Sequence, residues 1–172
     1  MALVVEDGSG LSTAESYASV SEADAYHTTN GNSGWTGATS VKEQALRNAT
    51  RYLESKYGPR FFGVKKTREQ ALIWPMDDAS DIFGHLIEND VVPTELKNAL
   101  FEAALVSLST DLLAAVTPET DASIVSESKT LGPMSISKTF STAGKRGGGS
   151  RYPKVDAAIR PLVAAAGQVV RG

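Results

Sequence analysis

Residues 91–116 read VVPTELKNALFEAALVSLSTDLLAAV, and stepping 100° per residue wraps apolar side chains almost all round a helix. Leu96, Ala99, Leu100, Phe101, Ala103, Ala104, Leu108, Leu112 and Leu113 cover most of the circumference, while Asn98, Glu102 and Ser109 leave a thin polar stripe. Pro93 suits a first helical turn, Thr94 or the residues just before it can cap, and Glu95 sits where the helix dipole favours an anion. A helix apolar on nearly every side is buried on nearly every side. The spacing therefore predicts a central helix over residues 93–115. Polar residues interrupt it too often for it to cross a bilayer. As a core helix it carries no chemistry of its own, so function is sought around it.

The chain has 172 residues, 41% hydrophobic and 22% charged, which suits one globular domain with appendages rather than a disordered chain. It holds no cysteine, which excludes disulfides and thiolate metal sites. The opening MALVVEDGSG lacks the basic flank and apolar run of a signal peptide, so a cytosolic product is expected. Charge is divided unevenly. Residues 138–172 hold seven Lys or Arg and one acid, Asp156, leaving ten bases against nineteen acids in residues 1–137. The body is thus −9 and the tail +6, an asymmetry that marks either an interaction segment or a solvated terminus.

Around the central helix the chain is punctuated by turns. Glu6-Asp7-Gly8-Ser9-Gly10 is turn chemistry, and residues 2–5 suit a short strand or arm. Ser19-Val20-Ser21-Glu22 matches a capping box, predicting a short helix over residues 21–28 that buries Ala25 and Tyr26. A second box, Ser40-Val41-Lys42-Glu43, opens a helix that Gly58-Pro59 stops at Tyr57. Its apolar face is Val41, Ala45, Leu46, Ala49, Tyr52 and Leu53. The opposite face carries Glu43, Arg47, Arg51 and Glu54, with Glu43 and Arg47 at a supportive spacing. That face reads as solvated or as a contact between subunits. Thr67-Arg68-Glu69-Gln70 predicts a further helical turn, ended at Trp74-Pro75.

Three clusters carry possible chemistry. Arg60, Phe61, Phe62, Lys65 and Lys66 interleave bases and aromatics, as a stacking platform for single-stranded nucleic acid does. Two adjacent aromatics after a helix more often anchor a loop to the core, the reading favoured here because no longer basic–aromatic series follows. Asp77, Asp78, Asp81, Glu88 and Asp90 crowd oxygen ligands that suit Ca²⁺ or Mg²⁺. The EF-hand spacing is absent, so turn and cap roles are expected. His27 and His85 have no partner at ligand spacing and read as packing or surface residues. No G-x-S-x-G, H-E-x-x-H, C-x-x-C or strand-preceded G-x-G-x-x-G occurs. No catalytic residue, cofactor or metal is expected.

After residues 118–122, a linker, residues 124–131 and 134–140 alternate apolar and polar positions about Gly132-Pro133. Val125 and Leu131 on one run, and Met134, Ile136 and Phe140 on the other, predict a β-hairpin with one apolar face. STAGKRGGGS, residues 141–150, is a low-complexity basic linker. It is no phosphate-binding loop, because Arg146 follows Lys145 where Ser or Thr is required. Tyr152-Pro153 opens an amphipathic helix over residues 154–166, kinked at Pro161, with Val155, Ala158, Ile159, Leu162 and Val163 on its apolar face. Such a segment on a Gly-rich tether invites docking, and residues 138–172 are expected to fold on a partner.

Four stretches in one order resemble a family. They are VEDGSGLSTAESYASVSEADAYHTTNGNSGW at residues 5–35, ALRNATRYLESKYGPRFFGVKKTREQALIWPM at 45–76, VVPTELKNALFEAAL at 91–105 and RYPKVDAAIRPLV at 151–163. Together they resemble a tailed-bacteriophage family labelled "DnaT-like single-stranded DNA-binding protein". The resemblance implies a head–tail connector, a mostly helical adaptor whose copies, a dodecamer in such connectors, ring the DNA channel beneath the portal. It implies a virion neck protein that meets the portal, a tail or neck protein, and its own copies, with DNA passing through. It supplies no catalytic residue.

The expected fold is mainly α: a small bundle around the central helix (residues 1–123), a hairpin (124–140) and a basic linker with a short docking helix (141–172). Lys138, Lys145, Arg146, Arg151, Tyr152, Pro153, Val155, Ile159 and Leu162 are candidates for the portal-docking arm. Glu43, Arg47, Arg51, Glu54, Ile136 and Phe140 are candidates for subunit contacts. The alternative is a single-stranded DNA-binding protein using Arg47, Arg51, Arg60, Phe61, Phe62, Lys65 and Lys66, or the basic tail. The −9 body would repel phosphate, which weighs against it.

Overall fold

The computed structural model describes residues 2–113, 126–131, 134–139 and 152–163. Among these the fold is mainly α, with helices α1 (Val20–Thr29), α2 (Thr39–Tyr57), α3 (Thr94–Ser107) and α4 (Pro153–Ile159). Short antiparallel pairs join β1 (Val64–Lys65) to β2 (Met76–Asp77), and β3 (Ser126–Leu131) to β4 (Met134–Thr139). The described helices are none of them long and apolar enough to cross a membrane.

Helix α3 is the centre its composition demands. Leu96, Ala99, Leu100, Ala103 and Ala104 are completely buried, Phe101 and even Glu102 nearly so, and the helix packs on both α2 and α4. It is shorter than its apolar pattern. The expected helix to residue 115 stops at Ser107, where Ser109 and Thr110 turn back on Val106 through N–H···O bonds of 3.1 and 3.0 Å. Serine and threonine compete locally for backbone groups, and the Ser109 hydroxyl also bonds the Val106 carbonyl at 3.2 Å. Leu112 stays buried, but Leu113 is exposed. At the other end Pro93 itself caps the helix, without a side-chain bond from Thr94.

The first capping box forms as read: the Ser19 hydroxyl accepts from the Glu22 N–H at 3.2 Å, and the Glu22 carboxylate accepts from the Ser19 N–H at 2.8 Å. The buried face of α1 differs, however. Ala23 and His27 are buried, Tyr26 is half-buried and Ala25 is exposed, since residues four apart share a helix face. The second box does not form. Helix α2 starts at Thr39 behind Ala38, without a side-chain cap, and Val41 is exposed. From Ala45 onward its apolar face is buried as expected.

Between α2 and α3 the expected turn from Thr67 is not helical. Buried Gln70 organises this stretch: its amide donates to the carbonyls of Leu72, Ile73 and Pro75 at 2.9, 3.0 and 2.9 Å, and its oxygen accepts from the Thr67 N–H at 2.7 Å. The amino-terminal turn is built likewise around buried Glu6, which accepts from the N–H groups of Gly8, Gly10 and Leu11 at 3.0, 2.8 and 2.9 Å. Gly8 lies at φ +98°, where a Cβ would stand 1.7 Å from the Asp90 carbonyl oxygen. Only glycine fits there.

The carboxy-terminal helix departs most from expectation. It ends at Ile159, not 166; a 3₁₀ turn, Arg160–Leu162, follows with Pro161 at its middle, and Val163 bridges to Phe61. Val155, Ile159 and Leu162, placed on a docking arm by their amphipathic spacing, are buried in the body at 0–1% exposure. Burying each contributes roughly 1.5–3 kcal/mol. Residues 152–163 thus belong to the same compact unit as residues 2–112.

Residues 113–151 form a second unit, in which β3 and β4 pair from Leu131↔Met134 to Ser126↔Thr139. The hairpin stands where its alternation places it. Ile136 opposes Lys129, and Lys138 opposes Glu127. Val125, Phe140, Lys145, Arg146 and Arg151 lie outside the described residues, as do the linkers at 118–122 and 141–150 and the helix expected beyond 163.

Candidate functional site

The outer face of α2 is a groove rather than a plain solvated surface. Its volume is 620 Å³, and Ala14, Glu15, Arg47, Thr50, Arg51, Glu54, Ser55, Ala71 and Leu72 line it. Helical spacing sets Arg47, Arg51 and Glu54 on one side, and the segments around residues 15 and 71 form the other. Arg47 bonds Glu15 at 2.9 Å and approaches Glu43 at 3.7 Å. The guanidinium beside Glu15 holds that carboxyl below its ordinary value. Arg51 bonds the Asn48 side chain at 3.0 Å.

Glu54 is engaged inside the subunit. Its two oxygens accept from the Ile73 N–H at 3.1 and 3.2 Å, and buried Tyr17 donates its hydroxyl to the same carboxylate. Tyr17 in turn accepts from the Trp74 N–H at 3.3 Å. Burial pushes Glu54 above its ordinary value of 4.5, and burial, with the Glu54 charge beside it, pushes Tyr17 well above 10. These groups tie the loop at 71–74 to α2. A partly buried acid beside a tyrosine can be a proton donor, but here both are engaged by each other and by the 73–74 backbone. Spacing placed the four charged residues together; Tyr17, far off in sequence, carried no signal.

The basic–aromatic stretch is tied into the body at several points. Phe61 packs edge-on against Trp74 at 5.7 Å and bridges Val163, and Phe62 is half-buried. Lys65 donates to the Gln70 carbonyl at 2.9 Å and Lys66 to Gly8 at 3.3 Å. Arg60 lies over the Tyr57 ring at 5.9 Å. Two of the acids at 77–90 are engaged locally: Asp81 holds its own loop, and Asp77 accepts from Asn89 at 2.7 Å. Among the described residues no three His, Asp or Glu side chains gather as metal ligands.

His27 is a core residue, stacked on Trp35 at 4.6 Å with Nδ1 3.1 Å from the Asn32 amide; burial lowers its pKa. His85 is exposed, 3.0 Å from Asp81. Beside α4, Asp156 accepts from Lys56 at 3.1 Å and from the Tyr57 hydroxyl. Lys56 also bonds the Tyr52 hydroxyl at 2.8 Å, and Tyr152 packs edge-on on the Tyr52 ring at 5.6 Å. Asp156 is the lone acid of the basic tail, and that exception was the legible sign of an intramolecular partner. Pro153, at the first turn of α4, starts the helix.

A family model described as "Putative DnaT-like ssDNA binding protein" matches residues 1–172, the whole chain. Comparison with curated proteins gives no match, and comparison with solved structures gives none.

Proposed function

The chain belongs to this DnaT-like family, and from that premise we propose that it acts by assembly, as a non-catalytic structural subunit of a ring. In this reading it is the head–tail connector of a tailed phage, docked on a portal, with DNA passing through its channel. One observation carries the proposal: among the described residues of the second unit, two antiparallel strands pair as a hairpin. Two strands alone are marginal in water, and the outer edge of each is a template for another chain. A helical body with a hairpin that offers strand edges suits subunits that complete one another head to tail.

The family's description favours a second reading, binding of single-stranded DNA. Against it stand the engaged Phe61, Arg47 and Lys65, and the −9 charge of residues 1–137.

Both readings meet in one experiment. The mass of the full chain, alone and with a portal ring, is measured by light scattering with negative-stain imaging. In parallel, a labelled single-stranded oligonucleotide is titrated at several salt concentrations. Annular particles of uniform mass with no salt-sensitive DNA binding are expected. A lasting monomer that ignores the portal, yet binds the oligonucleotide with affinity falling steeply in salt, replaces assembly by the second reading.

A further inference from the structure

Between β2 and α3 the chain holds apolar side chains in solvent at the tip of a loop. Phe83 is 73% exposed, Leu86 81% and Ile82 46%. The loop is built to hold them there. One Asp81 oxygen accepts from the N–H groups of Phe83 and His85 at 2.8 and 2.9 Å, and the other meets His85 Nδ1 at 3.0 Å. The Asp81 N–H donates to the His85 carbonyl at 3.0 Å, and Gly84 turns at φ +86°. Below the tip, the Ile87 N–H donates to Ala79 and the Ile82 N–H to Pro161, each at 2.9 Å, pinning the loop to the body.

Fixing large apolar side chains in water forgoes the stabilisation that burial gives, and contiguous exposed apolar surface marks an interaction site. The charge of the loop's own residues says what covers it. Residues 77–90 contain five acids, Asp77, Asp78, Asp81, Glu88 and Asp90, and no Lys or Arg. An anionic membrane surface is repelled by such a rim. Residues 138–151 of the same chain contain Lys138, Lys145, Arg146 and Arg151 and no acid.

We propose that the Phe83–Leu86 tip is a contact between copies, docking on a neighbouring copy of this chain with its acidic rim facing that copy's basic residues 138–151. Two different patches then meet, the heterologous contact from which rings close. The contact rests on the assembly reading and names a surface for it.

The test places a photo-crosslinking phenylalanine analogue at position 83 of the full chain and compares self-association of the wild type with that of the double variant Phe83→Ser/Leu86→Ser. Both positions are exposed, so unfolding by denaturant should be unchanged. The variant should lose on the order of tenfold or more in association, and the cross-link should join the tip to a peptide from residues 138–151 of another copy. Unchanged association, or a cross-link elsewhere in the partner copy, overturns the contact while assembly stands. A wild type that stays monomeric, alone and with the portal, removes both.

Discussion

Glu54 shows how one side chain decides what a surface is for. By spacing it belongs with Glu43, Arg47 and Arg51 on a charged helix face, yet its carboxylate holds the Ile73 backbone and meets the Tyr17 hydroxyl. Burial raises its pKa above 4.5. A carboxyl raised in the folded state contributes stability that is fully present below the unfolded value and is lost as pH rises through the folded value. The stability of the wild type relative to Glu54→Gln is therefore expected to be greatest below pH 4.5 and to decline above it. Denaturant unfolding of both proteins across this range checks it; a difference that stays flat with pH excludes a raised Glu54. Lys56, Tyr57 and Asp156 work similarly, fastening α4 to the end of α2.

Helix α4 is short, and an isolated helix of its length is marginal in water; its order comes from packing. Ile159 is fully buried, and α4 lies against α3. Ile159→Ala is expected to cost about 2–5 kcal/mol, the range for a large aliphatic residue cut back in a core. Urea unfolding of the monomeric protein measures it. A side chain held only for docking elsewhere would change stability by less than about 0.5 kcal/mol, so the two roles separate cleanly. The end of α3 carries the complementary lesson. Leu108, Leu112 and Leu113 continue an apolar period that Ser109 and Thr110 break through their own backbone bonds.

At the scale of the molecule, charge and fold divide differently. The basic tail splits in two: residues 152–163 are built into the acidic body, while Lys138, Lys145, Arg146 and Arg151 belong to the stretch ending at residue 151. If that stretch and the acidic loop meet between copies, association should weaken as salt is raised, because screening at physiological ionic strength acts over about 8 Å. Sedimentation at low and high salt measures this. Association that holds or strengthens with salt would point to apolar contact alone.

Much of this was legible locally. The apolar circumference of residues 91–107, the Ser19 capping box, the period of α2 and the alternation of the hairpin all rest on groups within a few residues of one another. Their physics is complete within the chain's own neighbourhood, and it determined a mainly α body with an added hairpin. What only the tertiary structure decided is where amphipathic faces go. By periodicity the apolar face of α4 suits a separate partner and the core of its own body equally, and in the structure it packs against α3. Phe61 read as platform or anchor until Trp74 and Val163 were beside it, and Glu54 read as surface until Tyr17 arrived from 37 residues away. Periodicity states that a face must be covered; only the three-dimensional meeting of distant residues states by what.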